Sequence, residues 1–310
     1  MRQKVGGCMN RHGYERISGG MMTEGTSKVN EVFESPEALK PSYRPKELPH
    51  RDEQVKKTAS VLVSALRSKT PPNILMYGRK GTGKKATSRY VGRELESAGR
   101  RFGVDCSVVH INCTGIETRH GVLTRLATQL GLKVHEKDLP TDRVYDAVVD
   151  RVGSYRRVVI VLDEVDRLVK KSGDAVPHSL SRMNRDLDKS RVSLICVYDD
   201  AGFTEIIDTK LRSSLCEEEV YFPSYTANQL RDILRPRAET AFADGAVSDD
   251  VVPVCAAFAA REGGDAGYAI DLLRTAGELS SEGCRVTRED VQRARDRLRP
   301  RRQEQVKSKR

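Results

Sequence analysis

Tryptophan is absent from this sequence of 310 residues, and aromatic residues make up only 5% of it. Long apolar runs are absent as well, since no stretch reaches the roughly 18 residues that a membrane-spanning helix needs. The segment from Met1 to Gly20 also lacks the apolar block of a signal peptide. No membrane partner is predicted, and we expect a cytoplasmic protein. The length allows a substantial core together with a second, smaller domain.

Paired cysteine spacings are also missing from the sequence. The seven cysteines are scattered, and none lies in the C-x-x-C arrangement that holds zinc or forms a redox pair. Four of them, Cys106, Cys113, Cys196 and Cys255, lie in apolar stretches and are expected to pack as small hydrophobic side chains. The cysteines therefore predict no metal site.

Basic residues outnumber acidic ones. Lys and Arg total 54 against 44 Asp and Glu, and the formal net charge of +10 favours a polyanionic partner. From Arg285 to the last residue, eleven Lys and Arg stand against four acidic residues. Such a segment is typical of a disordered, solvated tail, which can also bind DNA phosphates without sequence preference.

The most informative segment runs from Asn73 to Lys85 and reads Asn-Ile-Leu-Met-Tyr-Gly-Arg-Lys-Gly-Thr-Gly-Lys-Lys. A short apolar strand followed by this glycine spacing is typical of a phosphate-binding loop. The glycines let the backbone fold tightly around a polyphosphate, and a helix that starts near Lys84 points free N–H groups at it. The residues expected to line the phosphates are Gly78, Gly81, Thr82, Gly83, Lys84 and Lys85.

Position 85 departs from the loop pattern. A Ser or Thr hydroxyl normally stands there and binds Mg²⁺, which demands close oxygen ligands, whereas the ammonium of Lys85 cannot bind a cation. A chance match to the loop motif is the competing interpretation. The apolar run before the loop, the helical pattern of residues 86–98 after it and a second motif downstream all argue against chance.

That second motif is Val158-Val159-Ile160-Val161-Leu162-Asp163-Glu164, a buried strand that carries two carboxylates at its end. In a nucleotide hydrolase the first carboxylate anchors the hydrated metal ion and the second polarises the attacking water. These roles would fall to Asp163, as metal ligand, and to Glu164, as base. Alternatively, the strand simply ends in an acidic, solvated turn.

Apolar strand patterns alternate with helical patterns between residues 74 and 222, and the strands are continuously apolar. This alternation predicts an α/β fold with a parallel sheet and helices on both faces. Past Pro223 only helical patterns remain, including Ala266 to Leu279 and a short helix from Arg288 to Leu298. We therefore expect a flexible segment (1–40), a nucleotide-binding base (41–222), a small all-helical lid (223–298) and a basic tail (299–310).

Four segments in this order resemble one protein family: Leu48 to Gln54, Leu162 to Asp166, Asp208 to Leu215 and Gly264 to Leu273. They are similar to archaeal replication initiators related to origin recognition complex subunit one and cell division control protein six, which are AAA+ ATPases. The resemblance covers about Val32 to Arg297. It implies an ATP-controlled protein that marks replication origins and helps to load the replicative helicase.

The resemblance also assigns roles to individual residues. It implies that Pro49, His50 and Arg51 border the adenine, and that Tyr225 and Arg237 contact nucleotide from the lid. At the position of the arginine that enters a neighbouring subunit's site stands Lys210, with Arg212 two residues later. Tyr225 could otherwise be an aromatic side chain that covers the seam between base and lid.

Three departures from the family fall on the γ-phosphate and its metal. Lys85 replaces Thr, Asp199 replaces the Asn that senses the γ-phosphate, and Gly267 replaces a phosphate-binding Arg. Each loss costs a few kcal/mol of transition-state stabilisation, so we expect very weak hydrolysis. ATP or ADP can still bind through Lys84, the loop backbone and the ammonium of Lys85, with Mg²⁺ weakened.

Two functions remain open at this stage. One is an ATP-binding replication initiation protein with weak hydrolysis; the other is a hydrolysis-deficient regulatory subunit that partners an intact initiator. Related initiator subunits, the helicase and double-stranded DNA are the expected partners. The resemblance implies a winged-helix domain that reads DNA, which we do not expect in the residues after Leu298, and a helical DNA-binding insertion near Lys133 to Thr141. We therefore expect weak, phosphate-based DNA binding.

Overall fold

The fold is that of a computed structural model, which describes residues 32–67, 72–134, 139–199, 207, 209–215, 218–280 and 285–307. The strands are β1 (Ile74–Tyr77), β2 (Cys106–Asn112), β3 (Arg157–Asp163), β4 (Arg191–Tyr198) and β5 (Glu218–Tyr221). The helices of the base are α1 (Asp52–Arg67), α2 (Lys84–Phe102), α3 (Arg119–Gln129), α4 (Thr141–Gly153), α5 (Val165–Ser172), α6 (Ala175–Arg182) and α7 (Thr209–Leu215). The lid contains α8 (Ala227–Ala241), α9 (Val251–Arg261), α10 (Ala266–Leu279) and α11 (Arg288–Lys307).

The five strands form one sheet in the order β2-β3-β4-β1-β5, and every pairing is parallel. The predicted α/β fold with a parallel sheet is confirmed. Sequence analysis missed β5, because its Glu218 and Glu219 hide the strand pattern and only Val220 is buried. This strand lies at the edge of the sheet and pairs with one neighbouring strand, β1.

Helices cover both faces of the sheet. On one face α1 and α2 pack Leu62 and Leu95 against Met76 of β1. On the other face Leu126 of α3 and Leu180 of α6 belong to the larger core, together with residues of β2, β3 and β4. Because side chains of a strand alternate between faces, each central strand supplies both cores, and this explains why β3 and β4 are almost continuously apolar.

The segment before α1 packs on the lid. Residues 32–40 belong to the segment that we expected to be flexible, but Val32 and Leu39 are buried in the lid core. A 3-10 helix (Pro36–Leu39) lies against α8, and the ring of Phe33 stacks on Phe242 with centroids 4.7 Å apart. So few apolar residues form no detectable period in the sequence. Residues 1–31 lie outside the described part of the chain.

The last helix differs from the prediction. We expected it to end at Leu298, but α11 continues through Pro300 to Lys307, so much of the predicted basic tail is helical. The residues around Pro300 are mainly Arg and Gln, which are good helix formers. Among the described helices, α11 included, none has the length and apolar character needed to cross a membrane.

Candidate nucleotide-binding site

The glycine-rich loop joins β1 to α2 in the conformation that its sequence predicts. Gly78, Gly81 and Gly83 have positive φ angles of 143°, 75° and 93°. Thr82 is fully buried, and its hydroxyl donates to the carbonyl of Arg79 at 2.7 Å. Helix α2 begins at Lys84, and no side chain caps it from Gly83. Its first N–H groups are therefore available to a ligand above the loop.

Lys84 is folded back onto its own loop. Its Nζ donates to the carbonyl oxygens of Gly78 and Arg79 at 2.5 and 2.8 Å, and it lies 3.0 Å from Asp199 Oδ1. The side chain is only 6% exposed. Asp199, the residue that follows β4, thus lies against the loop lysine. A bound polyphosphate would have to draw Lys84 away from these three acceptors.

The two carboxylates at the end of β3 are also engaged by cations. Lys85 forms an ion pair with Asp163, whose carboxylate is 11% exposed, and Arg167 Nε lies 2.7 Å from Glu164 Oε2. Glu164 has a positive φ of 56°, which a non-glycine residue adopts at an energetic cost and which is common at functional sites. Both carboxylates thus lie at the end of β3 beside a cation, but Asp163 Oδ2 and Glu164 Oε2 accept no hydrogen bond of normal geometry from the described residues.

These carboxylates do not fit a divalent metal ion. Mg²⁺ requires free oxygen ligands, whereas Asp163, Glu164 and Asp199 each face a lysine or an arginine. Within the described residues no group of three or more His, Cys, Asp and Glu could hold a metal ion. The residues present therefore do not form a site for a divalent ion.

Arg51 ties the loop to the start of the lid. This side chain is 2% exposed and donates to three backbone carbonyls, those of Thr82, His50 and Pro223, at 2.8, 2.8 and 2.6 Å. Its guanidinium lies 3.7 Å from the ring centroid of Tyr225. Burial lowers the pKa of Arg51, and the neighbouring Tyr225 partly offsets this effect. Arg51 thus links the phosphate loop to the residues that precede the lid.

The lid lies directly on the glycines of the loop. A Cβ at Gly81 would lie 1.9 Å from Asp265 Oδ1, and a Cβ at Gly83 would lie 2.7 Å from the hydroxyl of Tyr225. The N–H of Ala266 donates to the carbonyl of Gly81 at 3.1 Å. The start of α10 therefore contacts the phosphate loop, and side chains larger than hydrogen do not fit at these positions.

Beside the loop lies a cavity of about 240 Å³ between three parts of the chain. Its walls include Tyr43, Pro45 and Leu48 from the N-terminal segment, Lys85, Ala86, Arg89 and Tyr90 from α2, and Arg237, Gly267 and Ile270 from the lid. Sequence analysis found Lys85 and Arg237 but missed Tyr43, Tyr90 and Ile270. The α2 residues recur at helical spacing after Lys84, a signal that could have identified them.

Arg237 joins the lid to the N-terminal segment at this cavity. It donates to the carbonyl of Ala38 at 2.8 Å, and its guanidinium lies 4.8 Å from the ring centroid of Tyr43. The role predicted for Pro49 and His50 beside the adenine stays a prediction. His50 lies 3.0 Å from Asp232 of α8, and Leu48 rather than Pro49 lines the cavity.

Three cations that line the cavity, Arg44, Lys85 and Arg89, also act on His110. Burial lowers the pKa of His110 to about 4, with further contributions from Arg89, Arg44 and Lys85.

The described cysteines are free thiols. Cys113, Cys196 and Cys255 are buried, and Cys106 is half-buried. Burial raises the pKa of Cys106 to about 11. Their packing agrees with the prediction from the sequence.

The predicted contacts to a neighbouring subunit lie on α7. Arg212 is exposed there, while the side chain of Lys210 and residue 208 lie outside the described part of the chain. The same holds for His135 and Lys137 in the predicted DNA-binding insertion, although Lys133 is described and exposed.

Known families match both parts of this chain. Residues 67–206 match the AAA domain, and residues 231–296 match the Cdc6 AAA+ ATPase-type lid domain. The ORC1-type DNA replication protein 1 of Methanosarcina mazei is 46% identical over 86% of this chain. The ORC1-type DNA replication protein of Thermococcus kodakarensis is 45% identical over 87% of it. The matches span 65% and 67% of those two relatives.

Solved structures agree with these relatives. The ORC1 protein of Aeropyrum pernix, determined in complex with DNA, superimposes with a TM-score of 0.79 and 42% identity, over 86% of this chain and 70% of that one. The Cdc6 protein of Pyrobaculum aerophilum has a TM-score of 0.72 at 24% identity, over 86% and 72%, and shows the shared fold. Both the sequence matches and the architecture of base and lid place this chain in the family of ORC1-type DNA replication proteins.

Proposed function

We propose that this chain is a replication initiation subunit that binds ATP or ADP and hydrolyses ATP very slowly. The observation that carries the proposal is the phosphate loop, in which three glycines at positive φ present the uncapped start of α2 beside a buried Lys84. Such loops cradle nucleotide phosphates with backbone N–H groups. The ORC2 protein of Aeropyrum pernix, which shares this fold at 18% identity, was solved with ADPNP and ADP.

In this proposal the nucleoside enters the cavity of about 240 Å³ and its phosphates lie on the loop. Tyr43, Leu48 and Ile270 provide apolar surface for the nucleobase. Arg237 fixes the N-terminal segment that forms one wall of the cavity. Lys84 moves from Asp199 and its loop carbonyls to the phosphates, where its charge-assisted hydrogen bonds are stronger. Arg51 and Tyr225 keep the loop in the shape that receives them.

Slow hydrolysis follows from the paired carboxylates. A general base must be free to accept a proton from water, but Glu164 is engaged by Arg167 at 2.7 Å. Lys85 forms an ion pair with Asp163, and Gly267 has no charged side chain that could bind the phosphates. Losses of this kind cost a few kcal/mol each in the transition state, which corresponds to roughly 100-fold or more in rate.

The contact between Lys85 and Asp163 also favours a second candidate function, a regulatory subunit that binds nucleotide without hydrolysis and docks on an intact initiator. In that role Arg212, exposed on α7, and its neighbour Lys210 would face the partner's nucleotide. The two functions share the nucleotide-binding base (41–222) and the lid (223–298). They differ in whether Glu164 ever acts as a base.

We also propose that the chain binds double-stranded DNA weakly, through phosphates. Arg285, Arg293 and Arg297 are exposed at or near α11, and phosphate contacts carry no sequence information. The A. pernix relative was solved with DNA. A steep salt dependence with little preference between sequences is the expected result in a binding titration. Tight binding to one duplex at about 150 mM salt, with a scrambled duplex ignored, would contradict it.

The test of the nucleotide proposal combines binding and turnover. We expect the purified protein to bind ATP and ADP in calorimetry, to lose that binding in Lys84→Ala, and to release phosphate from ATP at background rate. An exposed control, Lys189→Ala, should bind like the unmodified protein. Slow turnover above background that Glu164→Gln abolishes would exclude the second candidate, whereas robust turnover would contradict the slow hydrolysis proposed here. Absence of nucleotide binding would refute both.

A further inference from the structure

Three ion pairs stand side by side at the phosphate end of the candidate site. Lys84 faces Asp199 at 3.0 Å, Arg167 faces Glu164 at 2.7 Å, and Lys85 is in direct contact with Asp163. Three cations therefore balance three carboxylates. Each of these three carboxylates already faces a cation, which weakens the attraction that they would offer to a divalent ion.

Lys85 occupies a special place among these residues. It follows the loop lysine, at the position where a hydroxyl normally binds Mg²⁺, and its ammonium reaches the carboxylate that normally anchors the same ion. Both supports of the metal are thus joined to each other by an ion pair. The side chain is 45% exposed and also lines the nucleoside cavity, so it remains accessible to a ligand.

We propose that the Lys85 ammonium replaces the metal ion, and that the site binds nucleoside di- or triphosphate in its metal-free form. The inference rests on the proposed nucleotide binding and specifies the form of the ligand. An ammonium has three donors, and one contact with Asp163 leaves two for β- and γ-phosphate oxygens. These charge-assisted bonds provide the attraction that a metal ion would otherwise supply.

The same geometry disfavours the metal-bound nucleotide. A divalent ion between the phosphates and Asp163 would stand next to the Lys85 ammonium, and like charges within about 4 to 6 Å repel strongly in a partly buried site. Asp163 could not serve both cations. Adding Mg²⁺ should therefore reduce affinity, in contrast to a phosphate loop that ends in a hydroxyl.

The experiment measures ATP and ADP affinity by calorimetry with excess EDTA and again with excess Mg²⁺. Three variants are compared with the unmodified protein. Lys85→Met keeps the length of the side chain without its charge, Lys85→Thr restores the hydroxyl, and Lys56→Thr is a control at an exposed position of α1. Thermal unfolding of each variant establishes that it is folded.

We expect the unmodified protein and Lys56→Thr to behave alike, and both should bind about tenfold or more weakly in excess Mg²⁺ than in EDTA, because the ion then occupies the nucleotide in solution. In EDTA, Lys85→Met and Lys85→Thr should each bind about tenfold or more weakly, the cost of one charge-assisted contact. Mg²⁺ should restore affinity in Lys85→Thr but not in Lys85→Met. This contrast distinguishes a binding role of the Lys85 ammonium from a purely structural role of its side chain.

Two results would overturn the inference while leaving the proposed function intact. One is unmodified protein that binds nucleotide as tightly in excess Mg²⁺ as in EDTA, or more tightly. The other is Lys85→Met that binds as tightly as the unmodified protein in EDTA. If the unmodified protein binds no nucleotide under either condition, the proposed function itself fails, and the inference falls with it.

Discussion

The two sides of the phosphate loop are held by different kinds of interaction. On the side of the lid, Arg51 donates to three backbone carbonyls, and the lid residues Tyr225 and Asp265 lie against loop glycines. On the side of the strands, Lys84 and Lys85 are held by carboxylates. The lid side is held by hydrogen bonds to the backbone and by close packing. The strand side is held by ion pairs between side chains.

This difference explains how the chain keeps its family's fold while residues at the phosphate loop depart from the pattern that it resembles. Close packing tolerates almost no substitution, since a Cβ at Gly81 would collide with Asp265. Ion pairs tolerate substitution if the charges change together. Relative to the pattern that the sequence resembles, Lys85 adds a positive charge and Asp199 adds a negative one, and each finds a partner within the site.

The largest expected effect is on the packed side. Arg51→Met should lower the free energy of unfolding by about 4 kcal/mol, because three backbone carbonyls, one of them buried, lose their donor at once. Arg51→Lys should recover less than half of this loss, since an ammonium lacks the planar fork. Urea denaturation measures both.

As the control, Arg185→Met removes an exposed arginine and should change stability by no more than about 0.5 kcal/mol. If Arg51→Met were equally mild, the loop would not depend on this side chain, and the contrast between the two sides would disappear.

A smaller loss is expected from one methyl group on the same side. Gly81→Ala places a Cβ in a backbone with φ of +75° and within 2.9 Å of the Asp265 Cα, so the lid loop must shift. Gly103→Ala has a similar φ of +65° with open space around the Cβ. We expect about 1 kcal/mol of backbone strain at Gly103 and about 3 kcal/mol in total at Gly81.

Thermal or denaturant unfolding of this matched pair separates strain from collision. Equal losses in the two variants would mean that the lid does not rest on Gly81 in solution. Nucleotide affinity should fall only in Gly81→Ala, because Gly103 lies at the far end of α2.

The packed side was also the more predictable from sequence. Helix α10 runs from Ala266 to Leu279 as expected, because Asp265 caps it by accepting from the N–H of Tyr268. The glycine spacing predicted the loop, since only glycine adopts these φ angles without strain. Local signals of this kind depend on residues within one or two turns of each other.

The remaining features depend on contacts between distant residues. Nothing near Arg51 predicts that it donates to Pro223, and the N-terminal segment gives no sign that Leu39 joins the lid core. Strand β5 has its partner 144 positions earlier, as the register of Ile74 with Glu218 shows, and its two glutamates hide it. The sequence showed that Lys85 was unusual, but only the fold shows that it reaches Asp163.

The smallest expected effect is on the ion-paired side and has the opposite sign. Asp199→Asn removes the carboxylate that lies 3.0 Å from Lys84 Nζ, so the lysine no longer has to leave an ion pair to reach a phosphate. ATP affinity should rise about tenfold, equivalent to about 1.4 kcal/mol. Asp188→Asn, at an exposed position, should leave affinity unchanged. Calorimetry decides, and a fall in affinity for Asp199→Asn would show that Asp199 positions Lys84 for the ligand instead of competing with it.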